Sequence, residues 1–239
     1  MAELNFLTLS RRGLRTLITK PKEMKKKLVV FDLDGTLLDT IADLAEATNY
    51  ALRRLGYPTH SVETIRSFVG NGINKLLERA LPQAMQTEEG VMCMRTHFIP
   101  YYNEHNADLS SPYPGVESLL KWLQDEGVQI AVASNKYQQA TEKLVTYYFP
   151  EVNFVAVFGQ RADVPIKPAP AVVHEIMSIA SVSADETLYV GDSGVDMQTA
   201  QNAGVDAVGV SWGFRPVSEL ETFGPKAVIA HADELRQFV

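Results

Sequence analysis

The spacing of hydrophobic residues changes along this chain and separates a helical segment from one that alternates strands with helices. Residues 28–31 form a short continuous apolar run, which is typical of a buried strand. From Thr40 the apolar residues recur every three or four positions, and Gly56-Tyr57-Pro58 ends the helix that this pattern predicts. Further helical patterns cover about residues 62–68, 73–80 and 88–103. The segment from residue 40 to about 110 is therefore predicted to be helical.

Beyond residue 110, strand patterns and helix patterns alternate. Apolar strands are expected at 128–133, 154–158, 187–190, 206–210 and 227–229. Helices are expected between them, at about 116–126, 138–148, 171–178, 195–203 and 219–223. Such alternation favours parallel strands joined by right-handed crossovers, with helices on both faces of the sheet.

The sequence therefore predicts an α/β fold, a doubly wound parallel sheet of the Rossmann-like type. Its core comprises residues 27–39 and 111–239, and a helical cap domain of residues 40–110 is inserted after the first strand. Ligands of open parallel sheets bind outside the carboxyl ends of the strands. The inserted helices are expected to cover that edge.

Composition indicates a globular protein, with 46% hydrophobic and 21% charged residues among 239. A net charge of -7 argues against bulk nucleic-acid binding, which needs a basic face. No apolar run approaches the ~20 residues of a membrane-spanning helix, so no membrane partner is expected. The single cysteine, Cys93, favours a reducing cytoplasm, and its place between Met92 and Met94 predicts a packed thiol.

The first residues differ in charge from the rest of the chain, because residues 1–27 contain eight basic and two acidic residues. A basic amphipathic arm, a transit-like presequence, a disordered extension and an overlong reading frame that should start at Met24 all fit this pattern. We interpret residues 1–26 as an extension that the fold does not require.

The first candidate chemistry follows the first strand. Asp32 and Asp34 are two residues apart, so an extended chain points both carboxylates to the same side, and Gly35 permits a sharp turn beyond them. Two neighbouring carboxylates repel each other unless a cation, a proton or the counter-charge of a phosphate lies between them. An ordinary acidic turn is the alternative for this pair alone.

Three later segments place more polar groups at strand ends. Ser134 and Asn135 follow the second predicted strand and suit an anion cradle, although both are also common helix N-caps. Lys167, before Pro168, offers a fixed positive charge or is a solvated loop residue. Asp192 and Asp196 are one helical turn apart after the strand at 187–190, where turn chemistry is the alternative. Together the strand ends predict a phosphate site beside a divalent cation site, for which Mg²⁺ is the natural ion.

These four segments, in this order, resemble the signatures of the haloacid dehalogenase-like hydrolase superfamily. The matching segments are Asp32-Leu33-Asp34-Gly35-Thr36, Ser134, Lys167-Pro168 and Gly191-Asp192-Ser193-Gly194-Val195-Asp196. The resemblance extends from about Lys27 to the C-terminus. Within the helical segment, Phe68-Val69-Gly70-Asn71-Gly72 and Leu77-Glu78-Arg79-Ala80 are similar to the phosphoglycolate phosphatase group.

The resemblance implies a role for each matching residue. It implies that Asp32 is the nucleophile that becomes an aspartyl-phosphate and that Asp34 is the general acid and base. Mg²⁺ would be held by Asp32, the Asp34 carbonyl and Asp192, with Asp196 in or just behind this ligand set. The implied phosphate-binding residues are Gly35, Thr36, Ser134, Asn135 and Lys167, and the implied substrate loop of the cap contains Gly70, Asn71 and Gly72.

The expected function is Mg²⁺-dependent hydrolysis of a small phosphomonoester, and the favoured substrate is 2-phosphoglycolate. A sugar-phosphate mutase of the β-phosphoglucomutase type, a pyrophosphatase and a nucleotidase use the same core chemistry and stay open, as does a non-catalytic binding module. The expected partner is the small phosphate ester, with a monomer or homodimer as the assembly. Trp212, Phe214 and Arg215 follow a predicted strand and receive no role from the sequence.

Overall fold

The computed structural model describes residues 25–239, so the predictions for residues 1–24 lie outside it. Its strands are β1 (Leu28–Phe31), β2 (Leu38–Asp39), β3 (Ser111–Pro112), β4 (Gln129–Tyr137), β5 (Phe154–Gln160), β6 (Thr187–Gly191), β7 (Asp206–Val210) and β8 (Ala227–Ile229). Its α-helices are α1 (Ile41–Arg54), α2 (Val62–Phe68), α3 (Ile73–Ala80), α4 (Glu88–His105), α5 (Val116–Asp125), α6 (Gln138–Tyr148), α7 (Ala171–Ala180), α8 (Gly194–Ala203) and α9 (Val217–Glu221). Two 3-10 helices cover Gln83–Met85 and Ala232–Phe238.

The main sheet confirms the predicted fold class. Six parallel strands lie in the order β5-β4-β1-β6-β7-β8, so β1 sits between β4 and β6. Phe31 at the end of β1 is level with Val132 of β4 and Val190 of β6. The carboxyl ends of these three strands therefore meet at one edge, where the strand order reverses direction.

Alternating side chains of the strands build a hydrophobic core on each face of this sheet. Val29 and Phe31 of β1 pack in one buried cluster with residues of α5 and α6, whereas Leu28 and Val30 pack in another with residues of α7 and α8. A strand buried on both faces needs apolar residues at every position, which is why β1 is a continuous apolar run.

The helical unit (α1–α4, Ile41–His105) provides most of a third buried cluster, which also includes Ala140 of α6 and Phe214. Its fully buried members include Leu52, Ile65, Leu77, Met94 and Phe98. The chain passes from the sheet into this unit and later returns from it. At these two crossings, β2 and β3 form a short antiparallel pair. The domain limits at residues 40 and 110 stay a prediction.

Asp43 ties the two crossings together. Its buried carboxylate accepts hydrogen bonds from the Leu109 amide at 3.0 Å, the Ser110 amide at 2.8 Å and the Ser110 hydroxyl at 2.6 Å. The start of α1 is thus fixed to the chain that returns from α4.

The structure corrects the sequence interpretation at three places. Strand β4 runs on to Tyr137, with an irregular register after Ala133, so Ser134 and Asn135 lie at the end of a strand and not at the start of a helix. Cys93 is exposed, because it lies on the outer face of α4 and the buried neighbour is Met94. Lys26 is 4% exposed and donates to Asp206, so the folded core includes this residue of the expected extension.

None of the helices in the described part of the chain has the length and the apolar character needed to cross a membrane.

We predict that Asp43→Ala destabilises the protein by about 3 kcal/mol, because the change leaves the buried amide and hydroxyl of Ser110 without an acceptor. Glu46→Ala in the same helix is the control, since Glu46 and its partner Arg53 are both exposed. Chemical denaturation measures both variants, and equal effects of the two would contradict the role of Asp43.

Candidate active site

Lys167 is the centre of the charged groups at the carboxyl edge of the sheet. Its ammonium is 3% exposed and lies 2.9 Å from Oδ1 of Asp32 and 2.7 Å from Oδ1 of Asp196. It also donates to the hydroxyl of Tyr189, 3.0 Å away on β6. Charges of opposite sign on three separate chain segments are thereby brought into direct contact.

Asn135 holds the backbone from which Lys167 extends. Its side-chain oxygen accepts from the Lys167 amide at 2.9 Å, and its side-chain nitrogen donates to the Lys167 carbonyl at 3.1 Å. The same nitrogen donates to the Gly70 carbonyl of the helical unit at 3.0 Å. The Lys167-Pro168 peptide bond is cis. The Asn135 side chain is therefore engaged with backbone groups on both sides of the site.

Asp32, Asp192 and Asp196 form a buried acidic cluster next to Lys167. Each offers a carboxylate oxygen, and these oxygens lie within 4.8 Å of one another. A side chain at Gly35 or Gly213 would collide with Asp192, so these two glycines make room for its carboxylate. The Phe214 amide donates to Oδ2 of Asp192 at 2.7 Å and fixes its orientation.

The acidic cluster carries more negative charge than its neighbours neutralise. Burial, first of all, and the charge of Asp196 together raise the pKa of Asp32 to about 7, against the opposing effect of Lys167. Burial and the charges of Asp196 and Asp32 also raise the pKa of Asp192 well above its usual value. Burial lowers the pKa of Lys167, but the charges of Asp196 and Asp32 outweigh this effect and hold it well above its usual value. One ammonium among three carboxylates leaves a place for a further cation.

The carboxylate oxygens of this cluster are suitable ligands for a divalent cation of the Mg²⁺ type. Oδ1 of Asp32 is buried without a hydrogen-bond partner among the described residues, because Lys167 approaches it as an ion pair outside hydrogen-bond geometry. All the ligand atoms that the cluster offers are oxygens, which hard cations prefer. Asp196 is less available, since its carboxylate already accepts from Lys167, from Tyr189 and from the amide and hydroxyl of Ser193.

A second buried ion pair lies beside the first and involves Asp34. Lys136 places its ammonium 3.0 and 3.1 Å from the two carboxylate oxygens of Asp34. Thr40 donates to the same carboxylate at 2.7 Å. Lys136 also donates to the hydroxyl of Tyr102, 2.6 Å away on α4. This ion pair therefore joins the sheet edge to the helical unit.

Lys136 and Tyr102 have no role predicted from the sequence. Lys136 directly follows Ser134 and Asn135, and this adjacency was the available signal. Nothing in the helical periodicity of α4 indicates that Tyr102 reaches the end of β4, because this contact depends on how the helical unit packs against the sheet.

A cavity of about 60 Å³ between the sheet edge and the helical unit brings most of the predicted residues together. The predicted site residues that line it are Asp32, Asp34, Ser134, Asn135, Lys167, Asp192, Asp196, Gly70 and Gly72. The Asn71 side chain instead accepts a hydrogen bond from Arg79 of α3 at 2.9 Å.

Gly35 and Thr36 have a different place from the one expected. The Gly35 amide donates to the Leu38 carbonyl at 2.8 Å, and the Thr36 amide donates to the Leu33 carbonyl at 3.2 Å. The turn closes on itself through these amides, and the phosphate-binding role expected of Gly35 and Thr36 stays a prediction. Gly35, at φ 89°, makes the turn and leaves space for Asp192.

The loop after β7 receives a role from the structure. The indole nitrogen of Trp212 donates to the Thr36 carbonyl at 3.1 Å, and Phe214 orients Asp192 through its amide. Arg215 donates to the Arg66 carbonyl at 2.9 Å and to the Val69 carbonyl, both at the end of α2. The carbonyls at a helix C-terminus have no partner inside the helix and attract a cation. Arg215 thereby holds the loop that contains Gly70 against the sheet edge.

The chain is similar to known proteins in both sequence and fold. A family model described as haloacid dehalogenase-like hydrolase matches residues 29–210. Two curated relatives named phosphoglycolate phosphatase come from Vibrio parahaemolyticus, 35% identical over 89% of this chain and 96% of the relative, and Pseudomonas syringae, 37% identical over 89% and 78%. A crystal structure from Haemophilus somnus, described as a predicted phosphoglycolate phosphatase, is 28% identical with a TM-score of 0.84 and covers 90% of this chain and 99% of its own.

We predict that the metal-free protein loses stability as the pH rises from about 4 to 7. In this interval folded Asp32, with a pKa of about 7, binds a proton that the unfolded chain, with a usual pKa of 3.8, has released. The thermal midpoint measured with a chelator should therefore be lower at pH 7.5 than at pH 5. Added Mg²⁺ should restore more stability at pH 7.5. In Asp32→Asn the pH dependence should be weaker, and an unchanged dependence would contradict this origin.

We also predict that Arg215→Ala increases amide hydrogen exchange at residues 69–72 by roughly 10-fold, because this loop loses its charged donor. Arg53→Ala, which removes an exposed arginine of α1, is the matched control. Protection of residues 69–72 that stays at the wild-type level in Arg215→Ala would show that this residue does not hold the loop.

Proposed function

We propose that this chain, a phosphatase that belongs to the haloacid dehalogenase-like hydrolase family, hydrolyses 2-phosphoglycolate through an aspartyl-phosphate on Asp32. The observation that carries the proposal is the buried Asp32 at the end of β1, paired with Lys167 and beside Asp192. A carboxylate in this position can act as a nucleophile toward a phosphorus atom whose oxygens Lys167 holds.

In the first step a carboxylate oxygen of Asp32 attacks phosphorus, and the bond from phosphorus to the ester oxygen breaks. Lys167 compensates the charge on the phosphoryl oxygens, and the Ser134 hydroxyl, which lines the same cavity, is placed to donate to them. Asp34, in its protonated form, gives this proton to the departing ester oxygen, which leaves as an alcohol, and Asp34 becomes a carboxylate.

In the second step a water molecule attacks phosphorus, and the bond from phosphorus to Asp32 breaks. Asp34 accepts the proton from this water, and inorganic phosphate leaves. The helical unit acts as a cap that excludes other water while the aspartyl-phosphate exists. Asn135 and Arg215 support this role, because they bind backbone carbonyls of the helical unit, at Gly70 and at Arg66 near the end of α2.

We propose that Asp32, Asp192 and the Asp34 carbonyl hold Mg²⁺, while Asp196 orients Lys167. When bound, Mg²⁺ neutralises negative charge on the phosphate and on these carboxylates. The four hydrogen bonds that Asp196 already accepts support its separate role.

Two observations support a small substrate. The cavity of about 60 Å³ is enclosed on the side of the helical unit by apolar residues, including Leu76 and Phe98. The curated relatives that match most of this chain are named phosphoglycolate phosphatase. We retain a cytoplasmic monomer or homodimer as part of the proposal.

We predict that the wild-type protein with Mg²⁺ releases phosphate from 2-phosphoglycolate faster than from sugar phosphates, nucleotides or pyrophosphate. Asp32→Asn should reduce kcat by at least about 1,000-fold, because the amide is a far weaker nucleophile than the carboxylate. Asp125→Asn, in an exposed side chain of α5, is the matched control.

Phosphate release in a substrate panel measures this prediction. Full turnover by Asp32→Asn would contradict the proposed nucleophile. A low rank of 2-phosphoglycolate would contradict the substrate alone, and phosphoryl transfer between sugar positions with little free phosphate would indicate a mutase.

A further inference from the structure

Lys136 is a buried cation that the proposed chemistry does not use. Resting on the proposed function, we propose that Lys136 and Tyr102 bind a second anionic group of the substrate, a carboxylate on the carbon next to the ester oxygen. The pair would thereby select short phosphocarboxylates over neutral phosphate esters of the same size.

Lys136 lies directly beside the expected general acid, Asp34. Asp34 must reach the ester oxygen to protonate it, and the Lys136 ammonium lies 3.0 and 3.1 Å from the Asp34 oxygens. A substituent attached to the ester oxygen therefore comes within hydrogen-bonding reach of Lys136. In 2-phosphoglycolate this substituent is a single CH₂ group that bears the carboxylate.

The other cations at the cavity already have partners that define their roles. Lys167 is paired with Asp32 and Asp196 on the phosphate side. Arg215 is directed to backbone carbonyls at the end of α2. Among the described lysines and arginines that line the cavity, Lys136 is the one whose ammonium lies beside Asp34.

Burial of Lys136 makes this position selective. Its side chain is 3% exposed, so water does little to stabilise the ammonium, and the Tyr102 ring lies 4.7 Å from it. With a carboxylate substrate, the substrate anion becomes a partner of Lys136 and leaves Asp34 free to turn to the ester oxygen. With a neutral substrate, Lys136 keeps Asp34 as its charged partner, because an unpaired buried charge is unfavourable.

Tyr102 makes the anion site depend on both parts of the molecule. Its hydroxyl accepts the hydrogen bond from Lys136 at 2.6 Å, so its own proton can be donated to a substrate carboxylate. Lys136 comes from the end of β4 and Tyr102 from α4, so the complete site exists only when the helical unit lies against the sheet edge.

The experiment compares 2-phosphoglycolate with 2-phosphoglycolamide, which has almost the same shape and no charge on the second group. We expect wild type to prefer the carboxylate by about 10- to 100-fold in kcat/KM, the range of a hydrogen bond to a charged group. In Lys136→Met this preference should fall to near 1, and in Lys136→Arg it should largely be kept. Lys121→Met, in an exposed lysine of α5, should behave as wild type.

Tyr102→Phe provides a second measurement that does not remove a buried charge. It should lower the preference by about 10-fold with a smaller effect on the amide substrate, since one neutral donor is lost. Circular dichroism and thermal unfolding show which variants fold. If Lys136→Met does not fold, the preference of Tyr102→Phe tests the proposed anion site.

The outcomes separate this inference from the proposed function. If wild type hydrolyses neither compound, the proposed function fails. If wild type hydrolyses 2-phosphoglycolate but has no preference for it over the amide, or if folded Lys136→Met or Tyr102→Phe keeps the full preference, the inference about the second anion is overturned. A merely structural role of Lys136 would lower both rates and leave their ratio unchanged.

Discussion

The ion pairs of Lys167 with Asp32 and Asp196 are the interaction on which the site depends. A lysine that is 3% exposed is unfavourable in a protein interior unless carboxylates surround it, and carboxylates this deeply buried need a cation in return. Neither partner is stable in this place without the other. Their contact fixes the loop before α7 against the end of β1 and the first turn of α8, which follows β6.

Around this interaction the backbone is arranged to admit side chains that repel one another. Gly35 and Gly213 leave space for Asp192, and the amide of Phe214 directs its oxygen. Asp196 is held by the capping box with Ser193 at the start of α8. The fold thus concentrates negative charge at one point and provides positive charge at fixed distances from it, which suits a phosphate ester and a divalent cation together.

Strand and helix periodicity was sufficient to predict the fold class and to bring Asp32, Lys167 and Asp192 to one edge, because parallel strands align their carboxyl ends. It was not sufficient for the hydrogen bonds of the turn at Gly35, whose amide binds a carbonyl three residues away. The contact of Lys136 with Tyr102 could not be predicted from periodicity either, because it depends on packing between elements that are separate in the sequence. Residue patterns define what one element contributes, whereas a contact between two elements depends on their relative placement.

The contacts that Asn135 makes with both the sheet edge and the helical unit limit which helical units can be exchanged between related proteins. One amide group binds the backbone of Lys167 and, through the same nitrogen, the Gly70 carbonyl of the helical unit. A helical unit transplanted from another protein would have to present a carbonyl at this point. Otherwise the graft would disturb the loop that carries the lysine as well as the cavity wall. The Asn135 contact therefore constrains any exchange of substrate preference by swapping whole helical units, and chimeras that keep residues 69–72 with the host sheet should be better tolerated.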